Sequence, residues 1–539
     1  MVLNSTFSLE ENNSQSFETY LQDIVGFFII ESHIVNTTDG FRNRSSVDAL
    51  WDMTTAKLYD VVAKSLKNCQ SPEHFLQIKL IMIKFIQTME VYSYSVAKLF
   101  ELLIAFFQSY SALMKSRASL ACQQSILADE GNPMTVHNMT ELNQVQAIFT
   151  ENQENGQELS GNIRLHFPMT FAYSAAFLAC CDEVQKFIDG FYMFGEGFNQ
   201  QFAEMDIILK KDVETLLTDC ICPHMEAKMA MPNIQLSELV RIIMNLKYFE
   251  LAVEQMEETI SVHRASHRSV SPRNAELKAF QDKQMASSLS AVCSPRFLQC
   301  RKKAEHRIFE VINRKIDDFL ECATYDFMPA DPSKSGSSPQ KKVVPVSNEP
   351  SAYLVDLINF LNTVWTSTLS ELPMFLKSPM YYDAIYHISA ELLAKLLDPT
   401  VRKISPYFIE QTLERDVSYL ENFVKELGDV NLLDQMAQIK QVIELLRLAT
   451  PVEEYLNPTI KSRKYSQLPK QTAVVLLEKL RDSGAYLESS GFFGLMKDSS
   501  ASAAASSNVN EKKLDKGAKR RNLDMVIRQL REESAPVKK

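Results

Sequence analysis

YLVDLINFLNTVWTSTL, residues 353–369, places Leu354, Leu357, Ile358, Leu361, Val364 and Trp365 in one stripe, with Asp356, Asn359 and Asn362 off it. Steps of three and four are the period of an amphipathic helix; a half-buried strand would alternate every second residue. Ser351, just after Pro350, is placed to cap the helix N-terminus. The same period runs through Ser237 to Ile260 in Leu239, Val240, Ile243, Leu246, Phe249, Val253, Met256 and Ile260. It returns in Thr472 to Asp482 through Ala473, Val474, Leu477 and Leu480, with Gly484 placed to stop the helix. Further helices are predicted over residues 17–34, 48–66, 75–89, 96–114, 174–193, 198–218, 305–322, 381–397, 406–427 and 432–448. No long stretch carries a strand period, so the fold class is all-α.

Composition points the same way. Only 14 of 539 residues are glycine, against a usual share of about 7%. Phosphate-cradling loops, dinucleotide turns and nucleophile elbows need glycine for backbone that a Cβ forbids. The shortage therefore argues against most nucleotide-using enzymes, and no Walker loop or glycine-flanked nucleophile is found. The net charge of −10 makes nucleic acid an unsuitable general partner. The most apolar stretch, Phe75 to Phe107, is interrupted by Lys79, Lys84, Glu90, Lys98 and Glu101, short of an uninterrupted membrane span. Nine cysteines without framework spacing suggest reduced thiols, and an acidic, polar start lacks the pattern of a secretory signal; a soluble, cytosolic protein is expected.

Four segments read as linkers that lack the apolar residues to order themselves: Asp129 to Leu165, Ser261 to Pro295, Ala330 to Glu349 and Ser499 to Gly517. They divide the chain into a polar tail (1–16), a first helical-bundle region (17–230), a second (231–485) and a flexible tail (486–539) ending in a short helix, Leu523 to Leu530. The run Lys512 to Arg521 before that helix carries six basic residues, a composition suited to anionic lipid.

Candidate chemistry is sparse. Cys220, Cys222 and His224 lie close together, but structural zinc sites use Cys pairs two to four residues apart, twice over, so buried thiols are expected. His263 and His267 have helical spacing without the intervening acid of a metalloprotease helix. Asp317 and Asp318 are adjacent and point apart on a helix, so they form no catalytic pair. The Met- and Phe-rich stretches Met225 to Met231 and Phe187 to Phe202 read as core. No catalytic, metal or cofactor-binding residues are assigned, and no enzyme activity is expected.

Several blocks add to this reading. AYLVDLINFL (352–361), LSELVRIIMN (236–245), FPM (167–169), KIDDF (315–319) with Tyr325-Asp326, residues 472–482, and LQDIVGFF (21–28) resemble, in order, the conserved blocks of the Sec fifteen subunit family of the exocyst, the complex that tethers secretory vesicles to the plasma membrane. Each block alone is an amphipathic helix; six in order are specific. The resemblance implies a rod of tandem antiparallel helical bundles, with no cofactor, cytoplasmic and peripheral at vesicles and plasma membrane. It implies as partners the other exocyst subunits, the Sec ten subunit above all, and a Rab-type GTPase in its GTP form. The family usually carries a further N-terminal coiled-coil portion, whereas this chain begins inside the conserved middle, as a truncated gene model, short isoform or divergent paralogue would. The implied Rab contact falls on Tyr381 to Leu427, where the family's FNLD-like stretch aligns with Leu413-Glu-Arg-Asp416. Phe408, Leu413, Glu414 and Asp416 are the expected contacts. The charged pair stands out, because charge rarely enters a core; Phe408, Leu413, Val417 and Leu420 could equally pack the bundle.

Overall fold

The computed structural model describes residues 14–66, 69–149, 166–196, 202–268, 288–329, 349–447, 452–484 and 522–532. Two compact units divide them, residues 1–305 and 306–539. Helices make up nearly all of both, so the fold is all-α.

The first unit holds α1 (Ser14–Thr37), α2 (Arg44–Leu66), α3 (Pro72–Val91), α4 (Ala97–Ala128), α5 (Met139–Ile148), α6 (Ala175–Gly195), α7 (Phe202–Thr215), α8 (Cys222–Met229) and α9 (Leu236–Arg268). It also takes the start of α10 (Leu289–Glu321). A π-helical turn, Leu216–Ile221, joins α7 to α8. The central element is α4, which packs on α2, α3, α6 and α8. By length and composition α4 could cross a membrane. Its Leu99, Leu102, Leu103, Phe106 and Phe107 are nevertheless buried inside the unit, as a core helix requires. Around Trp51, the rings of Phe28, Phe85 and Tyr94 lie within 6.1 Å centroid to centroid. The Trp51 indole donates to the Ser95 carbonyl at 2.7 Å, which satisfies its one buried polar group.

One expectation fails in this unit. The segment from Asp129 to Phe149 is ordered: β1 (Thr135–Val136) pairs antiparallel with β2 (Met169–Thr170), and α5 follows with Asn138 accepting from the Glu141 N–H at its N-cap. The segment does not order itself; it borrows a surface. Phe149 packs against Tyr173, Phe177 and Tyr248. Its backbone is held by buried cations, with Lys228 donating to the Ile126 and Asp129 carbonyls and Arg241 to those of Gly131 and Ala172. Asn245 completes the joint by accepting from Ser174 N–H and donating to Ser174 Oγ, both at 2.9 Å. Likewise α9 runs on to Arg268 and α10 already begins at Leu289 with Pro295 inside it, so both ends of the expected 261–295 linker are helical. Residues 150–165, 269–287, 330–348 and 485–521, which include the rest of the expected linkers and the basic run Lys512 to Arg521, lie outside the described residues.

The second unit takes α10 from His306 onward and α11 (Ala352–Thr363), α12 (Met374–Leu397), α13 (Glu414–Glu426), α14 (Ala437–Leu446), α15 (Pro458–Lys464) and α16 (Lys470–Ser483). Residues 522–532 form α17. The stripe of α11 is buried as its period demands, while Asp356, Asn359 and Asn362 are exposed. Gly484 ends α16 at φ +68°, a left-handed conformation that glycine adopts without a Cβ penalty.

Candidate functional site

The region singled out by the resemblance, Tyr381 to Leu427, comprises most of α12 and the helical run 406–426. That run is not uniform: Pro406–Phe408 is α-helical, Ile409–Leu413 is a π-turn, and α13 follows. Ser405 starts the run, its Oγ accepting from Tyr407 N–H at 3.3 Å.

Three of the four expected contact residues face inward. Phe408 and Leu413 are fully buried. The Phe408 ring sits 5.2 Å from that of Tyr325 and 5.0 Å from that of Phe327. Val417 and Leu420 are buried with them, so all four apolar positions pack the core. Asp416 is only 1% exposed, against the expectation that charge would keep it at the surface. Its carboxylate accepts from Ser351 N–H at 2.8 Å, Ser351 Oγ at 2.7 Å and the Tyr325 hydroxyl at 2.8 Å. Tyr353 hydrogen-bonds Tyr325 in turn. A buried carboxylate is tolerable when donors fill its lone pairs, and here they do. Burial, with Asp416 alongside, pushes the Tyr325 hydroxyl far above its ordinary range; burial is also the main cause for Tyr353. Ser351 occupies the N-cap position of α11, yet its hydroxyl serves Asp416 instead of the helix N–H groups.

Glu414 is the one of the four that reaches solvent, about a third of its side chain being exposed. Arg447 grips both of its oxygens and also reaches Glu444 at 3.2 Å. This carboxylate therefore has a partner within the chain.

The surface that offers itself for docking lies on α12. Met374, Phe375 and Tyr386 are 62%, 66% and 58% exposed, unusual for large apolar side chains. Phe309, Phe375, Pro379, Tyr382, Tyr386 and Gln435 line a groove of about 590 Å³. Two of its lining residues are tied to neighbours: the Tyr382 hydroxyl donates to Asp429 at 3.0 Å, and Asn313 donates to Asp383 at 2.8 Å. The sequence reading starts this helix at Tyr381, so Phe375 falls outside it, and Tyr386 in an apolar-rich helix looks like core until its neighbours are placed.

The other candidates resolve locally. Cys222 and Cys300 are buried in mutual contact, which with burial drives the Cys300 thiol up; His224 meets Ser119 at 3.3 Å. His263 stacks on Tyr192 and lies 3.5 Å from Asp189. His267 is helical within α9. Asp317 pairs with His387 at 2.6 Å and Asp318 with Lys315 at 2.9 Å, so the two do point apart.

Residues 98–479 match the model of the exocyst complex subunit Sec15 C-terminal family. The chain belongs to that family. Among curated relatives, human exocyst complex component 6 is 27% identical over 478 residues, 87% of this chain and 54% of the relative. Exocyst complex component sec15 of Schizosaccharomyces pombe is 24% identical over 462 residues, 85% of this chain and 55% of the relative. The Drosophila melanogaster exocyst complex component 6 is 24% identical over 477 residues, 88% and 57% respectively. The chain thus spans about half the length of the exocyst relatives it matches. No solved structure matches it significantly. The groove residues from Phe309 to Gln435 all fall within the span matched to the Sec15 C-terminal family; α17 falls outside it.

Proposed function

We propose that this chain is a non-catalytic subunit of the exocyst that tethers secretory vesicles to the plasma membrane, cytoplasmic and peripheral at both surfaces. It scaffolds other exocyst subunits, the Sec ten subunit among them, and takes a GTP-loaded Rab-type GTPase on its C-terminal helices. Nucleotide dependence comes from the GTPase, whose switch loops order only with the γ-phosphate present. The helical subunit then needs only a rigid apolar seat and a polar rim.

The observation that carries the docking part is the exposed aromatic groove on α12. Exposed aromatics beside a preformed pocket are the usual anchors of an interface. Of the expected contacts, Glu414 reaches solvent but lies outside the groove lining, while Phe408, Leu413 and Asp416 are buried in the helical run that carries it. Phe375→Asp and Tyr386→Asp should each weaken capture of the GTP-loaded GTPase at least tenfold, about 1.4 kcal/mol or more. Far-UV spectrum and melting temperature should stay unchanged. Glu414→Lys should weaken capture less. Unchanged capture by both aromatic variants would refute the groove as the docking site.

A further inference from the structure

Four aromatic side chains line the α12 groove: Phe309, Phe375, Tyr382 and Tyr386. An aromatic face carries partial negative charge, so it attracts cations as well as apolar groups. The charged groups bordering these rings have the same sign. Asp383 belongs to the lining, and Asp429 accepts from the Tyr382 hydroxyl. Asp434 is exposed beside the lining residue Gln435. It lies close enough for its charge to add to burial and to Asp429 in raising the Tyr382 hydroxyl above its ordinary range.

These three carboxylates differ from others in the unit. Glu414, Glu421, Glu454 and Glu478 are part-exposed, and each pairs with an Arg or Lys. Among the described residues no Lys, Arg or His pairs with Asp383, Asp429 or Asp434, and no basic side chain lines the groove. The neighbouring cations on α12 are engaged elsewhere, Lys377 donating to the Ser370 carbonyl at 2.7 Å and His387 pairing with Asp317. Asn313, whose amide donates to Asp383, keeps a buried Oδ1 without a donor among the described residues. A site with acceptors to spare suits a ligand that only donates, and arginine is such a group.

On the reading that this groove docks a partner protein, we propose that the anchor it takes is an arginine beside large apolar residues on an exposed segment of that partner. Its stem lies on the Phe375 and Tyr386 rings and its guanidinium meets Asp383 and Asp434. Guanidinium fits better than ammonium, because its plane stacks on aromatic faces and its fork of donors matches a carboxylate. Selection is then by charge as well as by shape: a segment of the same apolar content with an acid in that place is repelled.

The test uses the full chain and two labelled peptides, read by fluorescence anisotropy. One is Gly-Leu-Arg-Leu-Leu-Arg-Gly; in the other, citrulline replaces both arginines, which keeps the shape and removes the charge. Wild type should bind the arginine peptide about tenfold or more tighter at low salt, and the preference should shrink as salt screens the pair. Asp383→Asn with Asp434→Asn should remove most of the preference, since asparagine at 383 can still accept from Asn313. Neutralising two exposed acids in the first unit, Asp48→Asn with Asp52→Asn, should leave it unchanged. Tyr386→Ala should weaken binding of both peptides. Equal affinity for the two peptides overturns the proposal, as does a preference that survives neutralisation at 383 and 434 or is lost equally at 48 and 52. In those cases the groove stands as a docking surface if Tyr386→Ala still weakens both peptides. Binding indifferent to Tyr386→Ala overturns the groove reading with it, and no saturable binding of the arginine peptide to wild type overturns the proposal.

Discussion

Asp416→Ala removes the acceptor that three donors share: Ser351 N–H, Ser351 Oγ and the Tyr325 hydroxyl, at 2.7 to 2.8 Å. Hydrogen bonds to a charged group contribute about 1.5–3 kcal/mol each, and a buried donor left without its partner costs its desolvation as well. The two hydroxyls can turn, and Tyr325 keeps Tyr353. The Ser351 N–H sits at the start of α11 and has no such freedom. The expected loss is about 3–5 kcal/mol, the range for breaking a buried charged network by deleting one member. Ser351→Ala removes one donor to that carboxylate and should cost about 1.5–3 kcal/mol. Urea titration of the second unit's transition measures both, and the double variant should lose less than the sum, because the two share a bond. A loss below about 1 kcal/mol for Asp416→Ala, or strict additivity, would refute the polar node as a stabilising element. The same result bears on function: weakened GTPase capture by Asp416→Ala should follow the folded fraction, whereas that of Tyr386→Asp should not.

Two further outcomes are expected. Burial lowers the Lys79 ammonium to about 8, with nearby Glu196 opposing, so the folded form gives up its proton earlier than the unfolded chain does. The unfolded state then binds more protons between about pH 8 and 10.5, and the lysine's contribution to stability rises with pH across that window. From pH 8 to 9.5 the wild type should gain about 1.5 kcal/mol relative to Lys79→Met in paired denaturant titrations; a flat difference contradicts the burial argument. Gly131 and Gly484 both have positive φ, +74° and +68°, but an added Cβ at Gly131 would lie 2.7 Å from the Glu238 Cα while Gly484 has open space. Gly484→Ala in the second unit should therefore cost about 1 kcal/mol of backbone strain, and Gly131→Ala clearly more, as read from the shift in urea midpoint.

The helices were legible because burial imposes a period, and the period survives in the sequence. The stripe of α11 and the stop at Gly484 appear where residues 353–369 and 472–484 place them. What failed was judged from segments taken alone. Asp129 to Phe149 is too polar to fold by itself, yet Lys228 and Arg241, from α8 and α9, hold its Asp129 and Gly131 carbonyls. Those cations were visible as charges inside apolar runs, Arg241 between Val240 and Ile242, but a sequence does not say which carbonyls they meet. Asp416 misled for the same reason: its donors lie 65 and 91 residues away in the chain. The π-turns at Leu216–Ile221, Val364–Thr368 and Ile409–Leu413 have no local residue signature, so the apolar period continues through them. The groove on α12 was the least legible part. Exposure of Phe375 and Tyr386 depends on what fails to cover them, and only the packed unit reveals that.

Affinity purification of the tagged full chain from its own cells, read by quantitative mass spectrometry, tests the central claim most directly. The account predicts several other exocyst subunits at abundances comparable to the bait, and a Rab-type GTPase enriched only when a non-hydrolysable GTP analogue is present. Recovery of the bait with no sister subunit would contradict it.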